Sequence, residues 1–255
     1  MSSRDTHIAL QNVRLSYGDF LIQQQLNFTI ARGEVFVIMG GSGCGKTTVL
    51  RSIIGLKAPA EGSVLINSAD VWQLPEHERN ALKRNTGVLF QQGALWSSMT
   101  LAENIALPLE LYTDLSAADI ADVCELKLAL VGLAGFGAYY PNEISGGMRK
   151  RAGLARAMAL DPDILCFDEP SAGLDPLSSK LLDDLILELR DSLGTTVIVV
   201  THELASIFAI ADNAVFLDPE TKTQLAVGKP TTLRDECDIF AVRNFLARGQ
   251  AGHDT

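Results

Sequence analysis

One eight-residue stretch, residues 40–47, constrains this chain more than any other feature. It reads Gly-Gly-Ser-Gly-Cys-Gly-Lys-Thr, follows an apolar run at residues 35–39, and precedes a stretch compatible with a helix. This pattern is typical of a phosphate-binding loop between a strand and a helix. Glycines let backbone N–H groups converge on phosphate oxygens, and the helix adds its positive N-terminus. The chain is therefore predicted to bind a nucleoside triphosphate.

The loop assigns roles to its polar members. Lys46 would place its charge on the β- and γ-phosphates, and Thr47 would hold Mg²⁺. The other residues expected to contact the nucleotide are Gly40, Gly41, Ser42, Gly43, Cys44, Gly45 and Thr48. The alternative interpretation is a glycine-rich turn between a strand and a helix that binds no ligand.

Composition limits the class of protein. With 255 residues and 47% hydrophobic content, the chain can bury a substantial core. Its net charge of -10 and pI near 4.8 argue against nucleic acid as the main partner, because phosphate backbones favour clustered Lys and Arg. We expect no signal peptide and no membrane-spanning helix, since no apolar stretch approaches about 18 residues. The cysteines lack metal-type spacing and fit reduced thiols in the cytosol; they are Cys44, Cys124, Cys166 and Cys237.

The hydrophobic pattern predicts an α/β fold. Residues 8–17, 20–30 and 63–67 resemble strands of an antiparallel sheet near the phosphate loop. Short apolar runs without alternation indicate buried parallel strands, and they occupy residues 35–39, 87–90, 164–167 and 197–200. Residues 100–160 read as a helical insertion, with helix caps at Thr100, Ser116 and Ser145. We expect a tail helix at about residues 238–247 and a polar tail at residues 249–255.

Two further segments carry candidate chemistry. The strand at residues 164–167 ends in Asp168 and Glu169, which could orient Mg²⁺ and polarise an attacking water. By itself, such an acid pair is also common at turns and helix caps. Ser145, followed by two glycines, suits a helix N-cap. The next residues, 149–151, are all cationic, which opposes the helix dipole and suggests a bound phosphate.

Together, these segments resemble an ATP-binding cassette (ABC) transporter ATPase across about residues 8–228. The motifs fall in the order and approximate spacing of that family: residues 40–47, Gln91, residues 145–148, 168–170, 171–175 and 200–202. The resemblance implies a P-loop NTPase core with a RecA-like parallel sheet and flanking helices, an N-terminal antiparallel β-subdomain and an inserted α-helical subdomain. It predicts one ABC ATPase domain at residues 1–248, with the insertion at about residues 100–160.

The resemblance also implies a head-to-tail dimer that encloses two ATP molecules. Ser145, Gly146 and Gly147 would contact the γ-phosphate bound by the other subunit. The remaining implied roles are adenine stacking by Tyr17, sensing of Mg²⁺ and water by Gln91, bridging of subunits by Asp175, and γ-phosphate contact by His202. Lys46, Gln91, Glu169 and His202 are thus the predicted catalytic residues, and Thr47, Gln91 and Asp168 the metal ligands. Each site residue outside the loop also has an ordinary structural interpretation as packing, a cap or a strand-end polar group.

The signature segment departs from the usual Leu-Ser-Gly-Gly-Gln, because Ile144 and Met148 replace its first and last residues. With the following Arg-Lys-Arg, it resembles the ATPases of mammalian-cell-entry (MCE) lipid transporters of the Mla type (maintenance of lipid asymmetry). The implied partners are integral-membrane permease subunits and an MCE-domain lipid-binding protein, at the cytoplasmic face of the inner membrane. Two alternatives stay open: an importer ATPase for small solutes, and a soluble ATP-switched clamp on nucleic acid, which the acidic charge disfavours.

The segment between Gln91 and the insertion is unusually apolar. Leu95, Trp96 and Met99 lie where a loop should be polar. One hypothesis is a groove that receives a helix from a membrane subunit. Local packing against the insertion is the alternative.

Overall fold

The computed structural model describes residues 5–91 and 93–248. The strands within these residues are β1 (Thr6–Tyr17), β2 (Phe20–Ala31), β3 (Val35–Gly40), β4 (Glu61–Ile66), β5 (Ala69–Asp70), β6 (Thr86–Leu89), β7 (Ile164–Asp168), β8 (Thr196–Val200), β9 (Asn213–Leu217) and β10 (Gln224–Gly228). The α-helices are α1 (Lys46–Ile53), α2 (Glu76–Arg84), α3 (Leu101–Tyr112), α4 (Ala117–Leu130), α5 (Gly146–Ala157), α6 (Pro176–Leu193), α7 (Leu204–Ile210), α8 (Pro230–Glu236) and α9 (Phe240–Ala247). A 3₁₀ helix at Pro141–Glu143 precedes α5.

The N-terminal strands form an antiparallel sheet in the order β2-β1-β4-β5. β1 and β2 make a hairpin in which Tyr17 pairs with Phe20, and Gly18 takes a positive φ of 56° in the turn. A glycine adopts this backbone conformation at little cost. The structure has strands at all three segments that the sequence predicts for this sheet.

The central sheet has the order β10-β9-β3-β8-β7-β6. Its strands are parallel except for β10, which pairs antiparallel with β9 at the edge. The predicted parallel strands are β3, β6, β7 and β8, and the structure adds β9 on the far side of β3. The chain therefore has an α/β core with a separate antiparallel sheet.

The absence of alternation in β3 follows from burial on both faces of the sheet. Val35, Val37 and Met39 pack in a core shared with the inserted helices. Phe36 and Ile38 pack in a second core with α1 and the antiparallel sheet. A strand covered on both faces is apolar at every position, and in this chain that apolar run leads directly into the phosphate loop.

Three helices, α3, α4 and α5, lie between β6 and β7 in the chain. Thr100 caps α3 and Ser116 caps α4, each with a capping box that includes the residue three positions later. Ser145 caps α5. These are the three caps that the sequence predicts in this region.

The C-terminal segment folds back onto the same chain. The predicted tail helix is α9, and its Val242 and Leu246 side chains are fully buried in the core that contains β3. The predicted polar tail, residues 249–255, lies outside the described residues. Among the helices that the structure describes, none is both long and apolar enough to span a bilayer.

Candidate active site

The phosphate loop joins β3 to α1 and depends on glycine at both ends. Gly40 has a φ of 147°, and a Cβ there would lie 2.3 Å from Leu217 O. Gly45 has a φ of 93°, and a Cβ would lie 2.5 Å from Ile22 Cγ2. A side chain at Gly40 would require the backbone to move, and one at Gly45 would require the Ile22 side chain to move, while both positive φ values favour glycine. The two glycines therefore permit the tight path of the loop, and loops of this kind bind phosphate through their N–H groups.

Lys46 lies over this loop. Its Nζ donates to Gly40 O at 3.1 Å and to Gly41 O at 3.0 Å, and its side chain is largely buried. Gln23, from β2, supports the loop by donating from Nε2 to Cys44 O at 2.8 Å. The Cys44 side chain is buried in the core, and this burial raises the pKa of its thiol. Cys44 can thus contribute only its backbone to a ligand.

A hydroxyl and a carboxylate meet beside the loop. Thr47 Oγ1 donates to Asp168 Oδ1 at 2.8 Å, which links the start of α1 to the end of β7. Hard oxygen donors of this kind are the ligands that Mg²⁺ prefers, usually together with phosphate oxygens and water. The pair fits a magnesium ion bound to a nucleotide.

Glu169 follows Asp168 in a strained conformation, with a φ of 51°. Its backbone N donates to Val200 O at 2.8 Å, which fixes the residue against the end of β8. Glu169 Oε1 is 2.9 Å from His202 Nδ1. Within the described residues, the buried Oε2 has no hydrogen-bond partner. One oxygen of this carboxylate is therefore held by histidine, and the other is available to accept a hydrogen bond from a ligand or water.

These residues share an open cleft of about 760 Å³. The predicted site residues that line it are Gly40, Gly41, Ser42, Gly43, Gly45, Lys46, Thr47, Thr48, Gln91, Glu169 and His202. Asp168 adjoins it through the hydrogen bond to Thr47 described above. The structure therefore brings most of the predicted residues of one chain to a single surface.

Tyr17 does not line the cleft. It lies at the end of β1, is 48% exposed, and has Lys57 Nζ 4.9 Å from its ring centroid. This cation–π contact covers one face of the ring. Its predicted adenine-stacking role stays a prediction.

The signature segment also lies outside the cleft. Ser145 caps α5 by accepting from Met148 N at 3.2 Å. Gly146 lines a second hollow, of about 300 Å³, to which Gln91 also contributes. Gly147 lies elsewhere, beside Ser178 of α6. In one chain, Ser145, Gly146 and Gly147 therefore do not reach the phosphate loop's cleft.

The three cations after the signature glycines have partners within the chain. Arg149 donates to Ile144 O at 3.0 Å, Lys150 to Ala172 O at 2.5 Å, and Arg151 to Val131 O at 3.0 Å. These bonds account for the three cations within one chain, and a phosphate bound at this helix N-terminus stays a prediction. Long side chains can leave the first turn and bond carbonyls of neighbouring segments, so they need no anion at the helix N-terminus.

Asp175 caps α6 in the loop after β7. It accepts from Leu177 N at 3.1 Å and Ser178 N at 3.0 Å, and Ser178 Oγ donates to it at 2.5 Å. These bonds, led by the one from the Ser178 side chain, lower the pKa of Asp175. The structural interpretation of Asp175 as a cap therefore holds within one chain, and its subunit-bridging role stays a prediction.

A family model described as ABC transporter matches residues 23–172, more than half of the chain. This chain belongs to the ABC transporter family. It is an ABC ATPase, and the matched segment contains the phosphate loop, Gln91, the signature segment and the acid pair. Solved structures agree on the fold. The chain aligns with cbiO1 of Clostridium perfringens, part of the ABC transporter complex cbiONQ, with a TM-score of 0.83 at 24% identity, covering 91% of this chain and 92% of that one.

A second solved structure shows an ABC cassette after hydrolysis. It is the dimeric cassette MJ0796 bound to ADP and Pi, which aligns with a TM-score of 0.78 at 30% identity and covers 87% of this ABC ATPase and 98% of that chain. MJ0796 is also dimeric in another structure, with a TM-score of 0.79.

Curated relatives come from transport systems. The intermembrane phospholipid transport system ATP-binding protein MlaF of Escherichia coli K12 is 38% identical over 239 residues, which is 94% of this ABC ATPase and 88% of MlaF. MlaF of Haemophilus influenzae is 41% identical over 207 residues, or 81% of this chain and 78% of the relative. The "Probable ribonucleotide transport ATP-binding protein mkl" of Mycobacterium tuberculosis H37Rv is 40% identical over 94% of this chain, but the chain spans only 66% of mkl's length.

Sequence reasoning missed four residues that line the cleft of this ABC ATPase. They are Ile22, Leu204, Phe245 and Arg248. Ile22 and Leu204 are apolar residues in or next to predicted elements, and nothing in their type marks a ligand site. Phe245 and Arg248 come from the tail helix, whose partner the sequence does not reveal. The only signal was the apolar spacing of that helix, which predicts that it packs against something.

Proposed function

We propose that this ABC ATPase binds ATP in the cleft of the phosphate loop and hydrolyses it to drive a membrane transporter, most specifically one for phospholipids. A single observation carries the hydrolytic part: Glu169 and His202 form a paired carboxylate and imidazole in the same cleft as Lys46. Positioning and charge neutralisation are the main requirements for phosphoryl transfer to water. The cleft supplies both from one chain.

The chain's own residues divide the work. Lys46 and the loop N–H groups bind the phosphates, with the N-terminus of α1 behind them. His202 orients Glu169 through Oε1, which leaves Oε2 to accept a hydrogen bond from the attacking water. Thr47 and Asp168 would hold Mg²⁺, which neutralises phosphate charge when bound. Gln91 approaches the same space from the end of β6.

A dimer would complete the site. Ser145, Gly146 and Gly147 do not line the cleft of their own chain, and a second chain could present them to this nucleotide. The dimeric state of MJ0796 with ADP and Pi supports such an arrangement. We propose a homodimer in which the signature segment of one chain closes the cleft of the other.

The hydrolytic role of Glu169 has a direct test. Glu169→Gln keeps the size of the side chain and removes its basicity, so ATP turnover should fall by at least about 10²- to 10⁴-fold. ATP binding should persist and the dimer should accumulate. Glu188→Gln, an exposed position on α6, is the matched control and should turn over ATP normally. Normal hydrolysis by Glu169→Gln would remove Glu169 from the base role.

The lipid cargo is supported by relatives and by the signature segment. Both MlaF proteins are named for phospholipid transport, and they match over 78% and 88% of their own lengths. The mkl protein is named for ribonucleotide transport and has a long region with no counterpart in this chain. We therefore propose permease subunits and an MCE-domain protein as partners, at the cytoplasmic face of the inner membrane. A small-solute importer is the alternative.

A groove between the central sheet and the insertion fits a permease segment. It measures about 490 Å³ and lies between α2, β6, α3 and α5. Its lining mixes cations with apolar side chains, including Lys83, Arg84, Leu107, Leu111 and Tyr112. Leu111 is 63% exposed there. We propose this groove, rather than the loop at residues 93–99, as the docking site for a helix of a membrane subunit.

The apolar residues of the loop at residues 93–99 differ in their exposure to solvent. Leu95 packs against the core, whereas Trp96 is 59% exposed and is absent from the groove's lining. Local packing therefore explains Leu95. A contact between Trp96 and a membrane subunit stays a prediction, which Trp96→Ala would test through transport-coupled ATPase activity.

Partners can be identified with the trapped variant. Tagged Glu169→Gln would be purified from gently solubilised native membranes, and the bound proteins identified by mass spectrometry. Recovery of a permease with an MCE-domain protein would support lipid transport. A different permease with a periplasmic solute-binding protein would replace the lipid cargo by a small solute. A soluble complex with nucleic acid would overturn the transporter assignment.

A further inference from the structure

The tail helix α9 is fixed beside the phosphate loop. Val242 and Leu246 are fully buried, and the Phe245 ring meets the Phe216 ring edge to face at a centroid distance of 5.2 Å. Phe216 belongs to β9, which pairs directly with β3 where Gly40 lies opposite Leu217. Buried apolar contacts of this kind hold a short helix in one place. The end of α9 is thus positioned by the strand next to the loop.

Arg248 follows the last turn of α9 and lines the nucleotide cleft. Its side chain is exposed, and among the described residues it makes no hydrogen bond or ion pair. The Lys, Arg, Asp and Glu side chains in the described lining are Lys46 and Arg248 on the positive side and Glu169 on the negative side. Lys46 already donates to two loop carbonyls. Within the described lining, Arg248 is therefore the cation with all its donors available.

We propose that Arg248 binds the polyphosphate of the nucleotide in the same chain, so that α9 forms a second wall of the site. The proposal rests on the proposed function, because it takes ATP as the ligand of this cleft. A guanidinium matches phosphate oxygens with paired donors, and charge-assisted bonds are stronger than neutral ones. The tail would then contact the nucleotide together with the phosphate loop.

Arg243 provides a matched control on the same helix. It is also exposed, but it does not line the cleft. Arg248 lies five positions after Arg243, which turns the two side chains well apart around the helix axis. Removing either changes the net charge equally, so a general electrostatic effect would appear in both variants.

The test measures ATP, ADP and AMP affinities of the full chain by titration calorimetry in Mg²⁺-free buffer, which prevents turnover and leaves Glu169 in place. We expect Arg248→Ala to weaken ATP binding about tenfold and AMP binding by much less. Arg248→Lys should retain part of the affinity, and Arg243→Ala all of it. The Arg248→Ala loss should diminish at high salt, because the pair is exposed. Thermal melting of each variant checks that α9 stays folded.

Three outcomes would overturn the proposal: wild-type ATP affinity in Arg248→Ala, an equal loss in Arg243→Ala, or a loss seen only in samples that light scattering shows to be dimeric. The last result would place Arg248 against the partner chain instead of the nucleotide. Lys46→Ala separates this failure from failure of the proposed function. If Lys46→Ala abolishes ATP binding while Arg248→Ala does not change it, only the role of Arg248 is lost.

Discussion

Arg156 connects the helix that begins after Ser145 to the loop that follows Gln91. Its Nη1 donates to Ala94 O at 2.7 Å, and its Nη2 donates to Gly93 O at 3.1 Å. Gly93 is buried and Ala94 is exposed. Removing the guanidinium would therefore leave the Gly93 carbonyl without this partner and return the Ala94 carbonyl to water.

Arg156→Met preserves much of the apolar stem of the side chain and removes both donors. The lost bond to the buried carbonyl costs about 1–3 kcal/mol, and the exposed one contributes less. Burial lowers the pKa of Arg156, so its charge is partly desolvated and the substitution relieves some of that cost. We expect a net loss of about 2 kcal/mol in the free energy of unfolding. In a chain of this size, that corresponds to a melting temperature about 4–8 °C lower.

The assay is urea unfolding together with the ATPase rate of the isolated protein. Because this loop follows Gln91, which lines the cleft, we expect kcat to fall about tenfold, or about 1.4 kcal/mol in transition-state stabilisation. Arg190→Met is the control. Arg190 lies on α6, away from this loop, and its Nη1 donates to Asp212 Oδ2 at 2.7 Å. This substitution should be destabilising without lowering kcat of the folded protein. Wild-type kcat in Arg156→Met, or an equal loss in Arg190→Met, would refute the reasoning.

Two further predictions concern packing and pH. A Cβ on Gly87 would lie 2.1 Å from Ala157 O, so Gly87→Ala should lower the free energy of unfolding, measured in urea, by at least about 3 kcal/mol. Gly137→Ala is the control, because its nearest atom would lie at 3.4 Å, and it should change the free energy of unfolding by less than about 1 kcal/mol. Equal stabilities would contradict the close approach of β6 and α5. Burial raises the pKa of Asp183 to about 6, against the lowering effect of its hydrogen bond from Ser206. The folded state therefore binds this proton more tightly than the unfolded state, and its stability falls as pH rises from about 4 to about 6. Asp183→Asn should gain about 2 kcal/mol relative to wild type across that window, and a pH-independent difference would exclude this origin.

The phosphate loop and its flanking strand could be predicted from sequence because their cause is local. Residues 35–39 are apolar at every position, and the loop needs glycine for backbone reasons alone. The same holds for the caps Thr100 and Ser116, whose hydrogen bonds join residues three positions apart. Local rules therefore located the nucleotide cleft and the start of the insertion.

Other elements were missed because their cause is tertiary. α2 has no buried residue, so its sequence lacks the repeating apolar positions that identify an amphipathic helix. β10 is a partly exposed edge strand, whereas β9 has a short buried apolar run of the same kind as the predicted parallel strands. The partners of Arg149 and Arg151 are carbonyls of other segments, which no local rule places nearby. Those contacts account for the charge conflict that the sequence suggested within one chain, and a phosphate bound there stays a prediction.

The loop between Gln91 and α3 is held at both ends by the insertion. Arg156 of α5 bonds its first carbonyls, and the fully buried Asn104 of α3 accepts from Trp96 N at 2.8 Å and donates to Trp96 O at 3.1 Å. Lys46, by contrast, begins α1 after the loop that follows β3, and Glu169 directly follows β7, so both are attached to the central sheet. If the insertion shifted relative to the sheet, these bonds would carry the loop with it and would change the distance of Gln91 from the cleft. The groove of about 490 Å³ is bounded by β6 on one side and by α3 and α5 on the other. A helix bound there would fix the distance of Gln91 from the cleft, because it would contact the central sheet and the helical insertion at once.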